Sequence, residues 1–275
     1  MSEGPSTQGS EVGVLYDEMH ALYVAALGDN LHAGYFEGAL DTSALEAAQE
    51  RLTQLMIEHV RLEPQQLLLD VGCGSGRPAL RLARDSGGGV LGISVSAAQV
   101  HSANARAAAE GLAQCVRFQL ADVQSLPFPD ASFDAAWALE SMLHVADRPR
   151  GLAEIRRVTR PGGKLAIADV TVDAPLEPEE LAELVRAFRL GRLCSREQYV
   201  TELVAAGFDV LSARDIGENT LPTLRAIARR VPALQAEVGS RWQSAQLEAF
   251  LRSFTHLGKL RRKLGYVLIA AVRRD

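Results

Sequence analysis

Asp70-Val71-Gly72-Cys73-Gly74-Ser75-Gly76 sets three glycines at alternate positions behind the apolar run 67–69 and one acidic residue. A strand that ends in Asp and turns through such glycines lets backbone approach a ligand where side chains would block it. The motif points to a nucleotide cofactor, although its spacing departs from the GxGxxG that serves a dinucleotide pyrophosphate. Its plainer reading is a tight turn into a helix. Further along, His144 is the only histidine of the segment that follows the apolar run 133–138. Imidazole titrates near neutrality and can take a proton from a reacting hydroxyl. Two carboxylates close neighbouring apolar runs: Glu140 can hydrogen-bond an amino group of the cofactor or orient His144, and Asp169 can accept a hydrogen bond from His144 or from substrate. A structural histidine and a capping Asp are the alternatives.

The elements that must hold these residues follow from periodicity. Leu45, Leu52, Leu55, Met56 and Val60 recur at helical spacing over 42–60, with Thr42 or Ser43 as N-cap. From Leu67 onward, strands at 67–71, 89–94, 115–120, 133–138 and 164–170 alternate with helices at 77–85, 96–111 and 148–159. That alternation implies a parallel sheet with helices on both faces. Pro161-Gly-Gly-Lys164 reads as the turn that launches the fifth strand. A helix over 195–206, a strand from Phe208 and a last strand from Gly265 complete the pattern, and the charged helical stretch 216–263 is too long for a loop. It is expected to form a lid over the strand ends, where ligands of open α/β sheets bind.

Bulk properties exclude several classes. With 275 residues and 47% hydrophobic content, the chain can bury a full core as one domain. A net charge of −5 gives no reason to expect nucleic acid. Cys73, Cys115 and Cys194 are odd in number and widely spaced, which fits a reduced, cytoplasmic setting. No stretch has the length and apolarity of a membrane span, and no His, Cys or carboxylate cluster has metal-ligand spacing. Oligomeric state is not readable.

The motif sequence LLLDVGCGSG, GISVSAAQ, ADVQSLPFPDASFDAAWALES and RVTRPGGKLAIAD resembles the class I S-adenosylmethionine-dependent methyltransferases. GDNLHAGYF, ALESMLHVADRP and GYVLIAA are similar to the small-molecule group that contains rebeccamycin sugar O-methyltransferases and sterol C-methyltransferases. The resemblance implies an α/β, Rossmann-like, seven-stranded and mostly parallel sheet. Within one domain over 11–275, it implies N-terminal flap helices (11–60), a cofactor-binding core (61–172), lid segments (173–195 and 216–263) and the last strands and helix (196–215 and 264–275). Residues 1–10 are expected to be a loose tail.

The same resemblance implies S-adenosylmethionine as cofactor and assigns its contacts. Gly72, Gly74 and Gly76 let the backbone approach the methionine end, and Asp70 closes the strand beneath that loop as part of the cofactor site. Ser94 and Gln99 stand in for the usual acidic ribose ligand, or Ser94 caps the following helix. Asp122, with Val123 and Leu139, takes the adenine. Tyr16 and Tyr35 donate hydroxyls to the cofactor carboxylate, or are surface aromatics. His32, Tyr23 and Leu143 are expected on the acceptor side. Rebeccamycin-type enzymes carry two adjacent histidines where this chain has Leu143 and His144, so the acceptor atom stays open between carbon and oxygen. The substrate is expected to be an apolar secondary metabolite, because the lid segments supply Leu, Phe and Val rather than arginine clusters. A methyltransferase-fold cyclase is the alternative function.

Overall fold

The computed structural model describes residues 7–38 and 40–275. Its sheet is built from β1 (Leu67–Val71), β2 (Gly89–Ser94), β3 (Val116–Leu120), β4 (Phe133–Leu139), β5 (Thr159–Val172), β6 (Phe208–Asp215) and β7 (Leu264–Arg273). The strand order is β3-β2-β1-β4-β5-β7-β6. β1 to β5 pair in parallel, whereas β7 runs antiparallel to both β5 and β6. Chain order reverses between β1 and β4, so a crevice opens beyond their carboxyl ends. The glycine loop leaves β1 there, and a short 3-10 turn, Met142–His144, leaves β4.

Side chains alternate between the sheet's faces. Leu68, Trp137, Ala166 and Ala168 point to α2 (Leu45–Val60), α3 (Arg77–Ser86) and α4 (Ala97–Ala109). Leu69, Val71, Ala136, Ala138, Leu165 and Ile167 point to α5 (Arg148–Val158) and α7 (Arg196–Ala205). Burial on both faces is why the central strands read as continuous apolar runs. Truncating one such residue, for example Leu68→Ala, costs about 2–5 kcal/mol.

A separate apolar cluster joins α1 (Thr7–Leu27) to α9 (Pro222–Ala236) and α10 (Ser244–Leu260) through Leu22, Ala26, Ile227, Leu234, Leu247 and Phe250. α6 (Pro178–Phe188) meets α10 through Leu184 and Leu260, and α8 (Gly217–Thr220) links β6 to α9. No helix among the described residues is long and apolar enough to cross a membrane.

Local expectations need three corrections. The tail over 1–10 lies outside the described residues up to 6, and Thr7–Ser10 already belong to α1. Neither Thr42 nor Ser43 caps α2; Ala44 holds that position without a side-chain hydrogen bond, while Asp41 accepts from the Ser43 amide. Pro161–Lys164 does not launch β5 but interrupts its register: Phe133 pairs with Thr159 and Ala135 with Lys164, with Gly162 at φ 72°.

Candidate active site

The crevice holds a cavity lined by Asp70, Gly72, Gly74, Ser94, Gln99, Asp122, Val123, Leu139 and Tyr16. Gly72 is required twice over. Its φ is 76°, and a Cβ there would fall 2.3 Å from the Cβ of Ser141. Gly74, at φ 52°, has room for a Cβ, with Leu31 3.6 Å away, so its backbone conformation alone favours glycine. Asp70 is buried among apolar neighbours, and desolvation pushes its carboxyl up to about 7.

On one wall of the cavity, Ser94 donates to Gln99 Oε1 at 2.7 Å and accepts from the Ser96 amide. Ser96, not Ser94, caps α4. Ser94 and Gln99 are therefore a preformed polar pair on the cavity wall. Asp122 Oδ1 accepts from the Gln124 amide at 2.9 Å, and the Gln124 side chain reaches both carboxylate oxygens. The buried Asp70, the half-buried Asp122, a hydroxyl–amide pair and an apolar wall of Val12, Ile93, Ala121 and Val145 fit a ligand with amino-acid, ribose and adenine parts.

A second cavity, of about 530 Å³, adjoins the first and shares Tyr16, Leu31, His32, Glu140 and His144 with it. Tyr23 and Leu143 line it with Leu27, Leu184, Phe188, Ile227, Phe254 and Leu257. Its size suits a small organic ligand. Its rim is charged: Arg261 and Arg262 line it, balanced by Asp173, Asp215 and Glu218.

His144 stands where the two cavities meet. Its Nδ1 lies 3.4 Å from the Arg189 carbonyl, and its Nε2 lies 3.0 Å from the Tyr16 hydroxyl. A carbonyl only accepts, so Nδ1 carries the proton and Nε2 offers a lone pair. Burial pulls the imidazole down to about 4, against smaller opposing effects of the Arg189 and Phe188 carbonyls.

The expected carboxylate partners of His144 lie elsewhere. Glu140, with φ 49°, folds back so that Oε1 accepts from the Ala33 amide at 2.6 Å and the Tyr266 hydroxyl at 2.8 Å. Burial raises its carboxyl. Asp169 lines neither cavity. Strand alternation turns it with Leu165 and Ile167 toward α5 and α7, where it accepts from Tyr199 Oη at 3.1 Å. Arg148 stacks over the Tyr199 ring and pairs with Glu202 at 2.7 Å. Asp169, pushed up to about 7 by burial, thus belongs to a network behind the site.

Three other expected contacts are also reassigned. Gly76 lines neither cavity; its missing side chain makes room for Phe118 and Ala103. Tyr35 packs against the α2 side of the core. His32 faces both cavities, but its ring nitrogens are engaged by the Ala33 carbonyl and Thr53 Oγ1, so it offers a ring surface rather than a polar contact. Sequence reading missed Tyr266, and Gln49, whose amide nitrogen reaches the carbonyls of Leu27, Asn30 and His32 and ties down the loop above the cavity. A polar residue in phase with Leu45, Leu52 and Met56 was the available signal.

A profile of the methyltransferase domain matches residues 69–167. The chain is 38% identical over 269 residues to the 27-O-demethylrifamycin SV methyltransferase of Amycolatopsis mediterranei, covering 97% of this chain and 98% of that one. The chain belongs to the class I S-adenosylmethionine-dependent methyltransferases. A second relative, the O-methyltransferase resE of Aspergillus sclerotiorum, is 36% identical over 265 residues, with 96% and 97% coverage. Among solved structures, the [4+2]-cyclase SpnF superposes with a TM-score of 0.87 at 33% identity over 99% of both chains. The methyltransferase uses S-adenosylmethionine as methyl donor, and no cluster of three or more metal-ligating side chains occurs among its described residues.

Proposed function

We propose that this methyltransferase acts on a hydroxyl oxygen of a largely apolar small molecule of the secondary-metabolite kind. One observation carries the choice of oxygen: the tautomer of His144 leaves the Nε2 lone pair at the junction of the two cavities. An alkene or electron-rich ring would need no base before attack, whereas a hydroxyl must lose a proton. The names of the two relatives, both O-methylating, support the same reading. The finer kinship to rebeccamycin-type and sterol-type enzymes is part of this proposal.

In it, Asp70, Gly72, Gly74, Ser94, Gln99, Asp122, Val123 and Leu139 hold the donor, and Tyr23 and Leu143 help seat the acceptor. Residues 11–60 serve as a flap over the core at 61–172, and 173–195 with 216–263 as a lid. When bound, S-adenosylmethionine supplies a methyl group on a positively charged sulfur and leaves as a neutral thioether, so a proton taken up by His144 replaces the charge the site loses. His144 starts neutral because burial disfavours its charged form. Glu140, on the wall the two cavities share, fixes the Ala33 amide and the Tyr266 hydroxyl. The apolar walls of the second cavity exclude water from the reacting oxygen.

The test is incubation with methyl-labelled S-adenosylmethionine and a panel of apolar alcohols and phenols that includes 27-O-demethylrifamycin SV, followed by mass analysis. A gain of one labelled methyl on oxygen supports the proposal, and methylation only on carbon removes it. The likeness to SpnF favours one second reading, ring closure in the acceptor cavity without transfer. A product of unchanged mass in the presence of donor would select it.

A further inference from the structure

Tyr16 occupies the one acceptor lone pair that His144 offers. Its hydroxyl lies 3.0 Å from Nε2 and its ring stands edge-on to the imidazole, with centroids 5.6 Å apart. Because Nδ1 is committed to the Arg189 carbonyl as donor, the Tyr16 hydroxyl must donate to Nε2, and its own oxygen lone pairs stay free to accept. Tyr16 lines both cavities, as His144 does. A hydroxyl brought to this junction from the acceptor cavity therefore meets the oxygen of Tyr16 before it meets a vacant imidazole nitrogen.

The position of Tyr16 is fixed by its neighbours on the same face of its helix. Gly13 packs so closely on the Val95 carbonyl that a Cβ would come within 2.5 Å of it. Asp17 accepts from Ser96 Oγ at 2.5 Å and from the Ala98 amide at 3.0 Å, which ties α1 to the start of α4. Tyr23 backs the Tyr16 ring at 5.5 Å. Gly13, Tyr16 and Asp17 stand at i, i+3 and i+4, so they share one helix face. Anchored in this way, Tyr16 is poorly placed to swing aside and free Nε2.

We infer that Tyr16 is a catalytic residue of the acceptor side, relaying the proton of the acceptor hydroxyl to His144. The inference rests on the oxygen-methylation reading above. As the acceptor O–H bond breaks, its proton joins the Tyr16 oxygen while the Tyr16 proton moves to His144 Nε2. The acceptor oxygen keeps the electron pair with which it takes the methyl. Tyr16 ends as it began, and the proton ends on the imidazole. Burial, together with the nearby Tyr23, Glu140 and Asp169, raises the Tyr16 phenol well above its ordinary range, so it works as a neutral relay and not as a phenolate.

The test compares wild type, Tyr16→Phe and His144→Ala on a panel alcohol that wild type methylates. Tyr16→Phe should lower kcat by roughly 10²-fold or more, the scale of a placed acid–base group, with donor affinity by calorimetry held within about twofold of wild type. A proton inventory in mixed H₂O and D₂O should be bowed in wild type, with two protons in flight, and linear in the residual activity of Tyr16→Phe. In the ligand-free protein, ¹⁵N-histidine spectra of Tyr16→Phe should show His144 Nε2 losing its hydrogen bond while Nδ1 keeps its proton. A kcat at or above wild type would overturn the relay, because the hydroxyl would then merely block Nε2. A loss of donor affinity equal to the loss of rate would also overturn it, by moving Tyr16 to the donor. Either result leaves the His144 assignment standing; that assignment fails separately if His144→Ala keeps full kcat.

Discussion

Taking an imidazole out of water disfavours its charged form, and His144 shows the consequence in the form it holds before reaction. Its proton affinity drops to about 4, so the base stays neutral well below the ordinary imidazole range. If only the neutral ring can accept a proton, kcat should stay flat as pH falls from 8 to about 5 and decline only nearer 4. A rate profile with an inflection near 6.5 would contradict this. His144→Ala should lower kcat by roughly 10² to 10⁴-fold with little change in donor affinity, measured by calorimetry. At the donor end, Gly72→Ala should weaken donor binding far more than Gly74→Ala, since only the first drives a Cβ into Ser141. Equal affinity losses in the two variants would remove that distinction. The types and order of these residues were readable in the sequence because each closes an apolar run. Their partners were not: nothing local to Glu140 announces Tyr266, and nothing near His144 announces Tyr16, 128 residues away.

At the scale of elements, α1 lines the first cavity with Val12 and Tyr16, and it and the turn after it are held by a few polar ties. Asp17 accepts from the Ala98 amide in the first turn of α4, and Asp29 pairs with Arg106 at 2.7 Å and accepts from Ser75 through its carbonyl. A capping bond is worth about 1 kcal/mol, and a half-exposed ion pair about 0.2–1 kcal/mol. Asp17→Ala should therefore speed donor release about fivefold, since 1.4 kcal/mol is tenfold. Asp29→Ala should have a smaller effect that shrinks further in high salt, read by stopped-flow displacement. Unchanged release in Asp17→Ala would mean that α1 does not gate the cavity. The strands and long helices were legible because two-sided burial writes apolar runs into parallel strands and a 3.6-residue stripe into α2. The bulge at Pro161–Lys164 and the bare cap at Ala44 were not, because register and cap geometry depend on neighbours distant in sequence. Asp169 is a related case. Its place at the end of β5 was evident, but which face it takes follows from strand alternation counted from a register that only the folded sheet sets.

For the whole molecule, a ligand edge at the strand ends was predictable from the alternation of elements, whereas the crevice beyond β1 and β4 follows from a strand order that only the folded sheet sets. Nor was the meeting of two cavities at His144 predictable, since it needs α1 from one end of the chain and α9–α10 from the other. Burying ionisable groups in and behind that crevice makes stability depend on pH in opposing ways. His32 and His144 are held down to about 4, so between about 6.5 and 4 the unfolded chain binds protons that the folded chain refuses, and stability falls as pH falls. Asp70 and Asp169 are held up to about 7, so between about 4 and 7 the folded chain keeps protons that the unfolded chain releases, and stability falls as pH rises. The two pairs oppose each other below about 6.5, which should leave the donor-free protein's melting temperature nearly level from about pH 4.5 to 6. Above 6.5 the histidines no longer contribute, because they are neutral in both states, and the aspartates' cost stands alone. Asp70→Asn removes one such cost while keeping the side chain's shape. The variant's melting temperature relative to wild type should rise by several degrees between pH 5 and pH 8, at about 1.4 kcal/mol per unit of displaced pKa. A difference that stays constant across that range would show that Asp70 is already ionised at pH 5 in the folded chain, and would remove the upward displacement assigned to it.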